Sequence, residues 1–287
     1  MLHPARVFAS IALVAVFAHH GHASAAFQGN QTAVPGASRF ALLLVNDARG
    51  KAIVDVGIDD VVVQEDGANR DVLDVRVADY PIVIVVDNAA SAEVLDAVKT
   101  AIGRFLERLG PRPVALIASA PPRIISTFED ERENAVEQLG QLERADEVKS
   151  EPLRAASLGA QAIHQTGALF STIVMAVASP VEAQADATAE LSAPIIDSRA
   201  ALHVIADDTI AAATAGPLRR LAQQTRGAYT PIFAAASYLP ALERLAVRLT
   251  TELLVEYIVP TGSRAIDPKI GVRIPGARVQ GLGVAPR

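Results

Sequence analysis

Pro81-Ile82-Val83-Ile84-Val85-Val86-Asp87-Asn88-Ala89-Ala90-Ser91 is the stretch on which the fold turns. Its unbroken β-branched run, bounded by Pro81 and Asp87, suits a strand buried on both faces, the habit of parallel sheets covered by helices. The period then changes. Val94, Val98, Ile102, Phe105 and Leu109 recur at helical spacing and predict a helix from about Ser91 to Leu109, stopped by Gly110 and Pro111.

Moving toward the C-terminus, the alternation repeats. Val114 to Ile117 reads as a buried strand and Arg123 to Thr127 as an edge strand. Helical patterns occupy roughly 130 to 143 and 152 to 165. Thr172 to Val177 and Ala201 to Ile205 read as strands. Pro217 to Thr225 reads as a helix with proline near its first turn and Gly227 just past its end. Tyr229 to Phe233 is a further strand candidate. Leu239 to Thr250 is a helix, and Leu253 to Val259 a strong final strand. Such alternation implies an α/β fold, a Rossmann-like, mostly parallel sheet with helices on both faces.

Upstream of Pro81 the rhythm is that of an antiparallel unit. Phe40 to Val45 is apolar and ends in the turn-like Asn46-Asp47-Ala48-Arg49-Gly50. Val61 to Gln64 precedes the tight-turn signal Asp66-Gly67, and Val72 to Val77 alternates apolar with polar residues. Three strands with little core of their own are expected to pack on the α/β region C-terminal to them. Beyond Pro260 the tail is rich in glycine and proline, with Val272 to Ile274 a weak strand.

The N-terminus carries Arg6, a short apolar run from Val7 to Ala18, and the small-residue pattern Ala23-Ser24-Ala25. This reads as a secretory signal peptide, because the run is shorter than the roughly 20 residues that span a bilayer. The expectation is an exported chain, periplasmic or secreted, with no stable membrane span after cleavage. The stretch from Gly159 to Ala178 is apolar-rich but broken by Gln161, His164, Gln165 and Gly167.

Composition narrows the function classes. A formal charge of −6 and the lack of any long basic run argue against a nucleic-acid partner. With no cysteine, disulfides, thiolate metal sites and cysteine nucleophiles are excluded. The chain holds none of the usual nucleophile-elbow, phosphate-loop, dinucleotide or zinc-protease patterns. Asp207-Asp208, directly after a strand, is the best paired-carboxylate candidate, and reads more simply as a helix cap and solvated loop. His203 reads as a satisfied core histidine and His164 as a helix-closing residue.

In open α/β sheets ligands bind outside the carboxyl ends of the strands, and Asp87 marks the first such end. An aspartate directly after an apolar strand, with Ser91 opening a helix, resembles the first metal-ligand motif, D-x-S-x-S, of von Willebrand factor type A domains. Ala89 replaces the middle serine. The order Asn46-Asp47, then Asp59-Asp60-Val61-Val62-Val63-Gln64-Glu65-Asp66-Gly67, then Pro81 to Asp87, is similar to a bacterial exported subgroup of that family. So is Leu253-Leu254-Val255-Glu256-Tyr257-Ile258-Val259-Pro260, and the resemblance covers most of residues 40 to 287.

The expected layout is a signal peptide over 1–25, a flexible leader over 26–38 and a small β-rich unit over 39–79. A type A α/β domain over 80–260 and a C-terminal extension with a short strand over 261–287 complete it. In the family a divalent cation, usually magnesium, is held by the aspartate, the serines, a threonine from a second loop and an aspartate from a third. Here Glu151 falls at the threonine position and Ser179 where the third-loop aspartate belongs. Magnesium wants near-octahedral oxygen ligation, and the remaining set, Asp87, Ser91 and Glu151, is poor.

Each of these residues also has a plain structural reading. Asp87 caps its loop, Ser91 is an N-cap, and Glu151 beside Pro152 favours a helix start. The reading is therefore an exported, non-enzymatic module that binds a protein partner, with no catalytic residue and no cofactor. The alternatives are a magnesium- or manganese-dependent adhesion domain and an enzyme on a Rossmann-like sheet using Asp87 or Asp207.

Overall fold

The computed structural model describes residues 36–180, 185–209, 212–264 and 267–286. The signal peptide and most of the leader expected from the sequence lie outside these residues.

At the centre is a six-stranded sheet. Its strands are β5 (Ile82–Val86), β6 (Val114–Ser119), β7 (Pro122–Ser126), β8 (Thr172–Val177), β9 (Ala201–Asp207) and β10 (Ala228–Ile232), in the spatial order β10-β9-β8-β5-β6-β7. Only β7 runs antiparallel, at the edge. Every residue of β5 is fully buried, as its continuous apolar run requires. The side chains alternate between two cores. Ile82, Ile84 and Val86 meet α1 (Ala92–Arg108) and α6 (Tyr238–Thr250). Val83 and Val85 meet α3 (Pro152–Thr166) and α5 (Ala212–Gln224) on the other face. Helix α3 lies so close to β5 that a Cβ added at Gly159 would stand 2.6 Å from Val83 Cγ1. Two further helices, α2 (Arg132–Gln141) and α4 (Ala185–Asp197), complete the layer.

The antiparallel part draws strands from both ends of the described chain. β1 (Gly36–Asn46), β4 (Val72–Val77), β11 (Leu253–Pro260) and β13 (Arg278–Ala285) form one sheet, ordered β13-β1-β11-β4. β2 (Val61–Glu65), β3 (Ala68–Arg70) and β12 (Lys269–Val272) form another, ordered β12-β2-β3. Ala41, Leu43, Val45, Val61, Val63, Val255 and Tyr257 fill the space between the two sheets. The opposite face of the four-stranded sheet, through Leu42 and Leu254, joins the α1/α6 core.

This corrects the expected pairing of three consecutive strands upstream of Pro81. β11 is apolar on both faces and takes the central place between β1 and β4. Strand β1 also begins at Gly36, inside the stretch read as leader. The helix read from Pro217 starts at Ala212, which puts Pro217 in its interior. The weak strand at 272–274 sits at 269–272, because its partner register on β2 ends at Val272↔Val61.

Candidate functional site

Asp87 closes β5 and is fully buried. Its carboxylate is surrounded by donors. Oδ2 accepts from the Ala178 amide at 2.9 Å, the Ser179 amide at 2.8 Å and Ser179 Oγ at 2.7 Å. Oδ1 accepts from the Ala89 amide at 3.2 Å and Ser119 Oγ at 3.3 Å. A carboxylate offers about four lone-pair sites, so five donors leave it saturated.

The same loop is tied to its neighbours. Asn88, 1% exposed, donates Nδ2 to the Ala120 carbonyl at 2.7 Å and accepts the Ala120 amide at 2.9 Å. Its own carbonyl takes the Ala145 amide at 2.8 Å. Ser119 Oγ lies 2.8 Å from Ser150 Oγ, and the Ser119 carbonyl accepts the Glu151 amide at 3.0 Å. The loops after β5, β6 and β8 and the connection between α2 and α3 are thus knotted at the carboxyl end of the sheet.

The three residues singled out as metal candidates each hold other partners. Ser91 Oγ caps α1 by accepting the Val94 amide at 3.4 Å. Glu151 is exposed, with its carboxylate 2.7 Å from Arg154 Nε. The residue that faces the Asp87 cluster from the α2–α3 connection is Ser150, one position before Glu151. Ser179 follows β8 and donates its hydroxyl to Asp87 directly. No group of three or more His, Asp or Glu side chains suited to a metal occurs among the described residues.

Tyr238, at the start of α6, is a site residue that no sequence pattern announces. It is fully buried and donates its hydroxyl to the Val177 carbonyl. Burial, then the charges of Asp87 and Asp207, hold its hydroxyl well above the usual tyrosine range. Asp207 accepts the Thr209 amide at 3.0 Å and Thr209 Oγ1 at 2.6 Å, a turn cap. Asp208 accepts the Tyr229 hydroxyl at 2.9 Å. Partial burial and that bond push Tyr229 up to about 12, and Arg219 lies over its ring at 4.9 Å. His203 is buried in β9. Burial, and then Arg248, lower it to about 3, so it is neutral at physiological pH.

The rim of this end is apolar in two places. Phe233 directly follows β10 and is 70% exposed, and Val148, between α2 and α3, is 42% exposed. No helix among the described residues is long and apolar enough to cross a membrane.

No protein-family model matches the sequence, and no curated protein is similar to it. Solved structures are similar in fold. One is a von Willebrand factor type A protein from Catenulispora acidiphila. It is 12% identical, with a TM-score of 0.54 over 90% of this chain and 74% of that one. Another is proximal thread matrix protein 1 from the mussel byssus, 11% identical, with a TM-score of 0.51. This match spans 72% of the present chain and about half, 51%, of the byssus protein. The mostly parallel sheet with helices on both faces is that of the von Willebrand factor type A fold, and the chain has that fold.

Proposed function

We propose that the protein is an exported, non-enzymatic interaction module, acting in the periplasm or secreted, that binds a protein partner across the carboxyl end of its central sheet without a metal ion. The observation that carries this reading is the saturation of Asp87. Both its oxygens already accept hydrogen bonds from the chain, three of them from the loop after β8. A divalent cation needs oxygen lone pairs in near-octahedral array. Here the aspartate's are occupied, Ala89 brings none, Ser91 caps a helix and Glu151 pairs with Arg154. The donor set does not fit magnesium.

The same bonds favour binding over catalysis. They leave Asp87 no free acceptor for a substrate proton, and Asp207 is engaged with Thr209. What the surface offers instead is an exposed aromatic, Phe233, after β10 and an exposed Val148 between α2 and α3. Exposed aromatics on fixed supports are the usual anchors of protein interfaces. Export rests on the N-terminal sequence pattern.

Calorimetric titration of magnesium and manganese into EDTA-stripped protein tests the reading, with Asp87→Ala in parallel. The expected result is no saturable heat and no rise in unfolding temperature. Saturable heat that disappears in Asp87→Ala would overturn it in favour of metal-dependent adhesion.

A further inference from the structure

One stripe of α6 carries arginine where the helix meets the edge of the sheet. Ala241, Arg244, Leu245 and Arg248 recur at i, i+3, i+4 and i+7, so they share a face. Opposite them are β9 and β10, where His203 pairs in register with Ala228 and Ile205 with Thr230. Strand β10 has β9 on one side and, among the described residues, no strand on the other. Helix and strands enclose a groove of about 150 Å³. Ala228 on the strand and Ala241 on the helix leave the space that larger side chains would fill, and Ile205 and Leu245 make its apolar walls.

The lining is positively charged. Arg244 and Arg248 both line the groove, and among the described residues no carboxylate does. His203, also on its wall, is neutral at physiological pH. Glu252 lies on the adjoining cavity and approaches Arg248 Nε only to 3.7 Å. That Nε is buried with no hydrogen-bond partner among the described residues. Arg244 is exposed and enters no ion pair among the described residues. Glu243, next to it in the chain, is turned to Arg108 of α1 at 2.8 Å. By contrast, Arg112 and Arg132 are committed to backbone carbonyls. The two guanidiniums on the groove are thus the ones with hydrogen-bonding capacity to offer a ligand.

Two guanidiniums one helical turn apart, beside an apolar trough, define the chemistry of a ligand. The planar fork of arginine matches a carboxylate and holds it by charge-assisted hydrogen bonds. The trough suits a short hydrocarbon group, and its volume is that of a cavity that takes about one six-membered ring. We propose that the groove between α6 and β10 binds a small monocarboxylate. Its carboxylate meets Arg244 and Arg248, and its apolar part lies against Ile205, Leu245 and the two alanines. This site is separate from Asp87, since β9 and β8 stand between β10 and β5. It does not rest on the metal-free reading of that end.

The test titrates benzoate into the protein at neutral pH and low ionic strength, read by saturation-transfer NMR. Benzamidine, which carries a cation on the same ring, is the control. Benzoate should bind saturably with a Kd of about 1 mM or tighter, and benzamidine should not bind. Arg244→Gln, a change on an exposed side chain, should weaken benzoate by about tenfold, as loss of a charge-assisted hydrogen bond does. Ala228→Leu should fill the trough and abolish binding, with circular dichroism confirming that each variant folds. Arg219→Gln, exposed on α5 across the sheet, should leave binding unchanged. No saturable benzoate signal, equal binding of the two probes, or retention in both Arg244→Gln and Ala228→Leu would overturn the inference. An equal loss in Arg219→Gln and Arg244→Gln would do the same, by showing attraction to surface charge alone. None of these outcomes bears on the metal titration at Asp87, so the two readings fail separately.

Discussion

Two buried carboxylates stand at opposite ends of the same sheet, and the chain treats them differently. Asp87, at the carboxyl end, sits among five donors that are all backbone amides or serine hydroxyls. Glu252, 3% exposed at the amino end, receives the Tyr80 hydroxyl, and Arg248 Nε approaches only to 3.7 Å. Arg112 stacks over Tyr80 at 5.0 Å but donates to the Leu249 carbonyl at 2.7 Å and to the Ala78 carbonyl. Burial wins at Glu252 and pushes its carboxyl above the ordinary range, despite the opposing Tyr80 bond and Arg248 charge. A cavity of about 20 Å³ opens beside it, onto which the Ser171 hydroxyl faces with no hydrogen-bond partner among the described residues. The lesson is that a carboxylate is a structural knot when loops bring it donors, and an electrostatic cost when burial brings it few.

Asp87→Ala puts this contrast under the greatest load. It strands the buried amides of Ala178 and Ser179 and the Ser179 hydroxyl, each costing about 1–3 kcal/mol when left unpaired. Urea unfolding should show a loss of at least about 3 kcal/mol by the same reckoning. Asp87→Asn should cost less, because its amide oxygen still accepts from the loop after β8. A loss below about 1 kcal/mol for the alanine variant, less than one stranded donor, would mean that the knot is not what holds these loops.

The next effect is a pH dependence at the amino end. His203 is lowered to about 3 by burial and by Arg248, against 6.5 for an ordinary histidine. The folded state favours the neutral ring, so its contribution is fully present above about 6.5. It is lost as pH falls from there toward 3, at up to about 1.4 kcal/mol per pH unit. Denaturant midpoints measured from pH 7 to pH 4 should therefore fall, and His203→Gln should flatten that part of the profile. An unchanged slope in His203→Gln would place the acid sensitivity elsewhere.

How much of this the sequence discloses depends on where the information lies. The β5 run, the α1 stripe and the edge position of β7 are local patterns, and each forms as its residues imply. Helix α4 has no clean apolar stripe and carries Pro194 inside it, so nothing in its spacing announces a helix. Strand β13 holds Gly281 and Gly283, which erase alternation, and its pairing with β1 is decided by long-range contact. The site divides in the same way. Asp87 and the Ser91 cap were legible because both sit on one strand-to-helix turn. Ser119 and Ser179 reach Asp87 from 32 and 92 residues away, and Tyr238 arrives on the last helix. No periodicity records such convergence. The one-residue difference between Glu151 and Ser150 is of this kind, since helix-start chemistry locates the turn but not which side chain faces inward.

The smallest expected effect has the opposite sign, and for that reason it separates the two carboxylates most directly. Glu252→Gln keeps the shape and leaves an amide oxygen to accept the Tyr80 hydroxyl, while removing a charge that burial disfavours. A carboxyl whose folded value is raised contributes stability below the ordinary carboxylate range. That contribution is lost as pH rises through the raised folded value. Wild type and variant should therefore differ least in acid. At neutral pH the variant should be equal or more stable, by no more than about 1 kcal/mol after the weakened Arg248 pairing is set against it. Matched denaturant titrations in acid and at neutral pH measure this difference of differences. If Glu252→Gln were as damaging at neutral pH as Asp87→Ala, Arg248 and Arg112 would outweigh burial. The two ends of the sheet would then hold their carboxylates by the same means.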